Sequence, residues 1–293
     1  MDAAMRDKVC VITGSNNGFA LVAAHRLSAM GAKVVMICRS RERGQAAQRQ
    51  IAARCGNEPE LFIADLELQS DVRRVASEVA AAHPKIDVLM NNAGFAFGKR
   101  EVTREGFERT FALNYLAYFT LCRELRPQLR AAGGARIVNT ASSAHRQNPL
   151  RLDNLQGEIE FGERVFPPLP KMYGWSNVCR IMLTLELAER YAEDGITANC
   201  FCPGLVMVER AGATAAQNLM VKLMPRFLLP KTRTPEEAAE TMVYLASASD
   251  AASLTGVYFE SGQRVRAAEQ CYDGALRRQL WTRTEQLLDR GQP

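Results

Sequence analysis

The chain is poor in what metal and nucleic-acid chemistry needs. Its 293 residues hold three histidines, His25, His83 and His145. None has a carboxylate or cysteine partner at ligand spacing, so no metal site is expected. Eight cysteines (10, 38, 55, 122, 179, 200, 202 and 271) show no paired metal spacing, and most lie in apolar runs. That pattern predicts buried free thiols in a reducing compartment. No apolar run reaches the ~20 residues that cross a bilayer, and the start Met1–Lys8 lacks a signal-type apolar core. A cytoplasmic protein is expected. Basic residues outnumber acidic ones by 37 to 32, without a dense Lys/Arg stripe, which argues against nucleic acid as a partner. A Pro/Gly/Ser-rich linker, an internal repeat and a low-complexity tract are all missing, so residues 1–293 are expected to form one domain.

What is present is a core and a rhythm. Hydrophobic residues make up 47% of the chain. Short apolar runs at 9–12, 33–38, 60–64, 88–91, 136–140, 197–201 and 257–259 have the form of strands. Amphipathic stretches at 19–30, 45–54, 70–82, 105–130, 174–191 and 235–246 have the form of helices. Such alternation predicts an α/β fold, a parallel sheet with helices on both faces. Ligands of such sheets bind beyond the carboxyl ends of the strands, and the unusual residues fall there.

The first strand runs into Thr13-Gly14-Ser15-Asn16-Asn17-Gly18-Phe19-Ala20. A strand that ends in glycines and opens a helix offers free N–H groups and a positive dipole end to a pyrophosphate. Gly14 suits the tight turn, Gly18 lets the backbone approach the phosphates, and Ala20 occupies the close helix–strand contact. After the second strand, where an NAD site places an acid on the ribose, stand Cys38 and Arg39. A carboxylate would repel a 2′-phosphate, whereas a guanidinium pairs with it, so NADP(H) is expected, with Arg39 as main contact and Arg43 as helper. Asp65 and Leu66 follow the third strand at the height of an adenine edge. Asn92, Ala93 and Gly94 follow the fourth, Ser142 and Ser143 the fifth, and Pro203-Gly204 the sixth.

These motifs together resemble the short-chain dehydrogenase/reductase family, and within it the retinol-dehydrogenase-type members. The likeness covers nearly the whole chain. It includes Asn114 in Phe111-Ala-Leu-Asn-Tyr115, Arg136–Ser142, Leu152-Asp-Asn-Leu155, Tyr173, Thr234–Ala239 and a tail around Leu280-Trp281. The resemblance implies a three-layer Rossmann fold of about seven parallel strands in the order 3-2-1-4-5-6-7. Two further regions are implied, a substrate-loop insertion at about 144–172 and a lid at about 205–232. It also implies hydride transfer between a nicotinamide and a carbonyl or alcohol. Carried onto this chain, Tyr173 moves the proton, Ser142 holds the substrate oxygen, with Ser143 as the alternative, and Asn114 supports a water chain. Cofactor contacts are expected from Gly14, Ser15, Asn17, Gly18, Phe19, Arg39, Asp65, Leu66, Asn92, Ala93, Gly94, Tyr173, Asn177, Pro203, Gly204 and Val206. By the same resemblance, the helices at 105–130 and 174–191 pair two copies into a homodimer.

One family residue is missing. A lysine four residues after the tyrosine holds the nicotinamide ribose in the family, and here Asn177 stands in its place. Residues i and i+4 share a helix face, so an amide ribose contact is expected instead. A phenol titrates near 10. A unit charge about 5 Å away, at an effective dielectric of about 20, is worth roughly 3 kcal/mol, or about two pKa units. Asn177 supplies no such field, which predicts a reductase rather than a dehydrogenase near neutral pH, or a protein diverted to non-redox chemistry or cofactor-dependent binding. Arg180 lies on the same face, about 10 Å along the axis from Tyr173, and is set aside as too distant to replace the charge. The family's threonine five residues after the proline of Pro203-Gly204 is Val208 here.

The substrate end is apolar. Phe161, Val165, Phe166, Pro167, Pro168, Leu169, Pro170 and Met172 lie in the insertion, and Leu219–Leu229 follows Pro203-Gly204. Together they predict a pocket for a lipophilic carbonyl such as a terpenoid, polyketide or aryl ketone. Lys222 and Arg226 beside the second segment allow contact with a membrane surface, with an ordinary lid helix as the simpler reading.

Overall fold

Five consecutive buried residues, Val9–Thr13, form β1. A strand covered on both faces has no polar alternation, and β2 (Lys33–Cys38) is buried at all but its first residue. The computed structural model describes residues 5–162, 169–206 and 232–290. Within them β1, β2, β3 (Glu60–Ile63), β4 (Val88–Asn91), β5 (Arg136–Thr140), β6 (Thr197–Cys202), β9 (Tyr258–Glu260) and β10 (Gln263–Val265) form one sheet. Its order is β10-β9-β6-β5-β4-β1-β2-β3. All neighbours are parallel except β10, which runs antiparallel to β9. The Rossmann order is therefore present, with an eighth strand added at one edge. Ser261 and Gly262, with φ of 52° and 85°, make the two-residue turn that sends β10 back along β9. A separate parallel pair joins β7 (Leu205–Val206) to β8 (Thr232–Arg233).

Helices cover both faces. On one side, the small residues Ala20, Ala23 and Ala24 of α1 (Gly18–Ala29) pack with Ala239 and Met242 of α8 (Pro235–Ser247), and α2 (Arg41–Cys55) lies beside them. On the other side lie α3 (Gln69–Ala82), α5 (Ala117–Glu124) and α7 (Lys171–Arg190). α2 starts four residues earlier than the periodicity predicts, because the Ser40 side chain accepts from the Arg43 N–H at 3.3 Å. The stretch 105–130 is not one helix. Buried Glu108 caps α4 (Arg109–Phe111), a π-turn (Ala112–Leu116) leads into α5, and the chain breaks at Leu125 before α6 (Arg126–Ala131), which carries Pro127 in its first turn.

The tail is a full helix, α9 (Gly274–Arg290). Trp281 packs against Phe119 of α5 with ring centres 4.6 Å apart and tilted by 59°, and Thr284 Oγ1 meets the Tyr115 hydroxyl at 2.9 Å. Arg277 Nε donates to Glu186 of α7 at 3.2 Å. The tail helix α9 thus packs on two of the helices expected to pair two copies, α5 and α7. All eight cysteines are free, and seven are buried. No helix among the described residues is long and apolar enough to cross a membrane. Val165, Phe166, Pro167, Pro168, Val208 and Leu219–Leu229, with most of the expected lid, lie outside the described residues.

Candidate active site

A cleft of about 820 Å³ opens beyond the carboxyl ends of the strands. Its walls begin at the join between β1 and β4. Thr13 Oγ1 accepts from the N–H groups of Asn92 and Ala93, at 2.8 and 3.0 Å, which holds the two strand ends together. Gly14 turns away at φ 68°, and a Cβ there would lie 3.1 Å from Ala93 Cα, so the turn needs glycine. Asn17 caps α1 without a side-chain hydrogen bond, and the first turn carries no acid. The helix start therefore presents N–H groups to an anion. Gly14, Asn17, Gly18 and Phe19 line the cleft, together with Asn16, which the motif alone did not single out. Ser15 does not: it is buried, and its hydroxyl donates to Ile12 O at 3.3 Å.

Arg39, Ser40 and Arg43 line the next stretch of wall, with Asp65 and Leu66 opposite. Arg39 Nη1 donates to Glu67 at 2.9 Å, and Glu67, almost fully buried, also takes Arg109 Nε at 2.7 Å. The Arg39 side chain is itself mostly exposed, so its share of this pair is weak. Glu67 was missed in the sequence, where nothing marks a carboxylate two residues past Asp65 as a clamp on the arginine. Asp65 Oδ1 accepts from the Glu67 N–H at 3.1 Å and so shapes this turn.

Further along stand Asn92, Ala93 and Gly94, then Ser142 and Tyr173, and Pro203, Gly204 and Val206 beyond them. Ser142 lines the cleft and Ser143 does not. Behind Ser142, His145 is fully buried. Its Nδ1 lies 2.7 Å from Ser142 O, and its Nε2 accepts from the Ala268 N–H at 3.1 Å. An imidazole that donates on one side and accepts on the other is neutral, and burial lowers its pKa below 6.5. His145 therefore pins the serine segment and is no pocket residue.

Asn114 and Asn177 lie behind the wall and do not line the cleft. Asn114, in the π-turn, accepts from the Phe95 N–H at 2.9 Å and donates to Phe95 O and to Ser176 Oγ, each at 3.0 Å. Asn177 donates to Tyr173 O at 2.7 Å and accepts from Arg180 Nη1 at 3.3 Å. The amide expected on a ribose is thus engaged within its own helix, at Tyr173 O and Arg180. The residue that does line the cleft from this turn is Arg180.

The arrangement joins an anion-binding loop to a hydroxyl pair, which is how a dinucleotide-dependent carbonyl chemistry is laid out. The short chain dehydrogenase profile matches residues 8–152, and the Enoyl-(Acyl carrier protein) reductase profile matches 160–260. Retinol dehydrogenase 14 of Homo sapiens is 32% identical over 301 residues, covering 97% of this chain and 87% of its own length. Retinol dehydrogenase 12 of Mus musculus is 30% identical, with 96% and 86% covered. The chain belongs to the short-chain dehydrogenase/reductase family, an oxidoreductase family. Among solved structures, an uncharacterised protein from Mycobacterium paratuberculosis superposes with a TM-score of 0.76 at 26% identity, covering 99% of this chain and 97% of the other. The L-sorbose reductase of Gluconobacter frateurii, solved with NADPH and L-sorbose, gives 0.69 at 25% identity, with 89% and 97% covered.

Proposed function

We propose that the chain is an NADP(H)-dependent oxidoreductase that reduces a carbonyl of a lipophilic small molecule. The observation that carries this reading is one continuous cleft with Gly14, Gly18, Arg39 and Arg43 at one end and Ser142 and Tyr173 at the other. The residues fit the dinucleotide. Unblocked N–H groups at the start of α1 suit its pyrophosphate, and two arginines stand where a 2′-phosphate is read. The L-sorbose reductase solved with NADPH supports the same choice. When bound, the reduced dinucleotide supplies the hydride.

The chain's own residues do the rest. Ser142 donates a hydrogen bond to the carbonyl oxygen, and Tyr173 gives that oxygen its proton. Phe95, Phe97, Leu113, Leu169, Pro170 and Leu205 make the mouth apolar, which favours a greasy carbonyl over a sugar.

Calorimetry with NADPH and NADH, beside turnover of a panel of lipophilic ketones, tests the reading. Micromolar NADPH binding with ketone reduction is expected. NADPH binding without turnover of any carbonyl would instead favour a non-redox or cofactor-dependent binding role. NADH preferred over NADPH would overturn the cofactor assignment.

A further inference from the structure

Arg180 is a buried cation, 2% exposed, with no carboxylate at ion-pair distance among the described residues. Taking a guanidinium out of water is expensive unless its donors are met. Nε donates to Asn114 O, Nη1 to Asn177 Oδ1 at 3.3 Å and Nη2 to Ala93 O at 3.1 Å. Its Cζ lies 4.5 Å from the centre of the Tyr118 ring, whose face favours a cation. A guanidinium has five N–H groups, and three are used. The other two belong to a group that lines the cleft between Gly94 and Tyr173. Every protein partner of this charge is neutral, and the group itself lines the cleft.

The local fold is built around this group. An ideal Cβ on Gly94 would clash with Arg180 Nη2 and lie 3.1 Å from Asn114 Oδ1, so glycine leaves the room the guanidinium fills. The π-turn at Ala112–Leu116 presents the Asn114 carbonyl to Nε. Helical side chains lean toward the N-terminus of their helix, so a long side chain at 180 covers the surface of the preceding turn, at Asn177.

We infer that Arg180 is a cofactor-positioning residue, whose two remaining N–H donors take ribose oxygens of the nicotinamide half of the dinucleotide. The inference rests on the dinucleotide reading above. It assigns the site's positive charge to the helical turn after Asn177 and leaves Asn177 to orient it.

The test is calorimetry on the full chain with two probes, NADPH and adenosine 2′,5′-bisphosphate, which lacks the nicotinamide half. In Arg180→Gln, NADPH is expected to bind about 10- to 100-fold more weakly, as for loss of charge-assisted hydrogen bonds. The bisphosphate should bind within about threefold of the parent chain, as expected for a site remote from the change. The Asn177→Lys/Arg180→Gln pair, which returns a cation one turn earlier, should recover NADPH affinity. Should Arg180→Gln fail to fold, Arg180→Lys is used; it keeps the charge but loses the fork, so an intermediate NADPH affinity is expected with the bisphosphate unchanged. Unchanged NADPH affinity, or equal weakening of both probes, would overturn the inference and leave the dinucleotide reading standing. A parent chain that binds neither probe would remove the dinucleotide reading itself, and the ribose assignment with it.

Discussion

Arg180 reaches back one turn of α7 to donate to Asn177 at 3.3 Å, and Asn177 in turn donates to Tyr173 O at 2.7 Å. The amide at 177 and the cation at 180 are coupled. An ammonium at 177 in the same cavity would face the guanidinium with no carboxylate to relieve it, which is a physical reason for asparagine there. Asn177→Lys alone is therefore expected to cost about 3 kcal/mol of stability, as an uncompensated buried charge does. The melting temperature should fall by roughly 6–10 °C. The loss should largely vanish in the Asn177→Lys/Arg180→Gln pair, and a double-mutant cycle of thermal melts measures the coupling. Additive effects would show that the two positions do not sense each other.

Arg39 is held by Glu67 at 2.9 Å in this structure, and a 2′-phosphate must compete with that carboxylate. The pair is solvent-facing on the arginine side, so the trade is favourable for a doubly charged phosphate. Arg39→Ala should weaken NADPH about 10- to 100-fold and leave NADH within about threefold. A parallel loss for both dinucleotides would place Arg39 in a structural role.

Tyr173 and Ser142 both line the cleft, and a phenylalanine at 173 keeps the ring while removing the proton. Tyr173→Phe is expected to lower kcat for carbonyl reduction by about 10²–10⁴, while calorimetry gives NADPH affinity within a few-fold. Full activity in this variant would mean that another group gives the proton.

The fold was legible because burial on both faces leaves strands as continuous apolar runs, and residues 9–12 and 34–38 are such runs. The added edge strand at Gln263–Val265 was not, since two exposed polar residues and a half-buried valine carry no such signal and only the Ser261-Gly262 turn marks it. The phosphate loop was legible from Gly14 and Gly18, because a tight turn before a helix has few residue solutions. Axial rise from Tyr173 places Arg180 far along α7, whereas its side chain leans back toward the N-terminus and reaches Asn177, which rise alone does not show. Ser15 and Asn177 carried the right residue type in the right register, yet each hydrogen-bonds inward to a backbone carbonyl.

His145 ties the Ser142 segment to Ala268, and only the neutral ring can accept from the Ala268 N–H. Burial lowers its pKa below the ordinary value of 6.5, with Arg146 acting in the same direction, while the hydrogen bond to Ser142 O and Glu260 oppose it. A folded-state value below the unfolded one means that the unfolded chain binds the proton first. Its contribution to stability is therefore complete above about pH 6.5 and is lost as the pH falls through the depressed folded value. His25, also lowered by burial, adds a slope of the same sign. Denaturant melts at intervals between pH 7.5 and 5 in about half-unit steps should show this fall, and His145→Asn should flatten it from a lower starting stability. An unchanged slope in the variant would assign the pH dependence to other groups.

α9 packs on α5 and α7, helices that the family likeness offers to a second copy. Its hold is specific: Trp281 sits between Phe119 and the Arg190 guanidinium, at 4.6 and 4.3 Å, and Arg277 meets Glu186, whose other oxygen takes Arg190 at 2.7 Å. Glu186 is almost fully buried, so its charge depends on both arginines. A dimer through α5 and α7 would have to displace all of this and regain at least as much. The chain is therefore expected to sediment as a monomer at micromolar concentration. Trp281→Ala should remove about 3 kcal/mol of packing and loosen α9, seen as faster amide exchange along 274–290. If the exposed α5 and α7 faces are competent to pair, that variant, unlike the parent, should dimerise as concentration rises. A parent chain that sediments as a dimer with α9 still protected from exchange would show that pairing uses another surface.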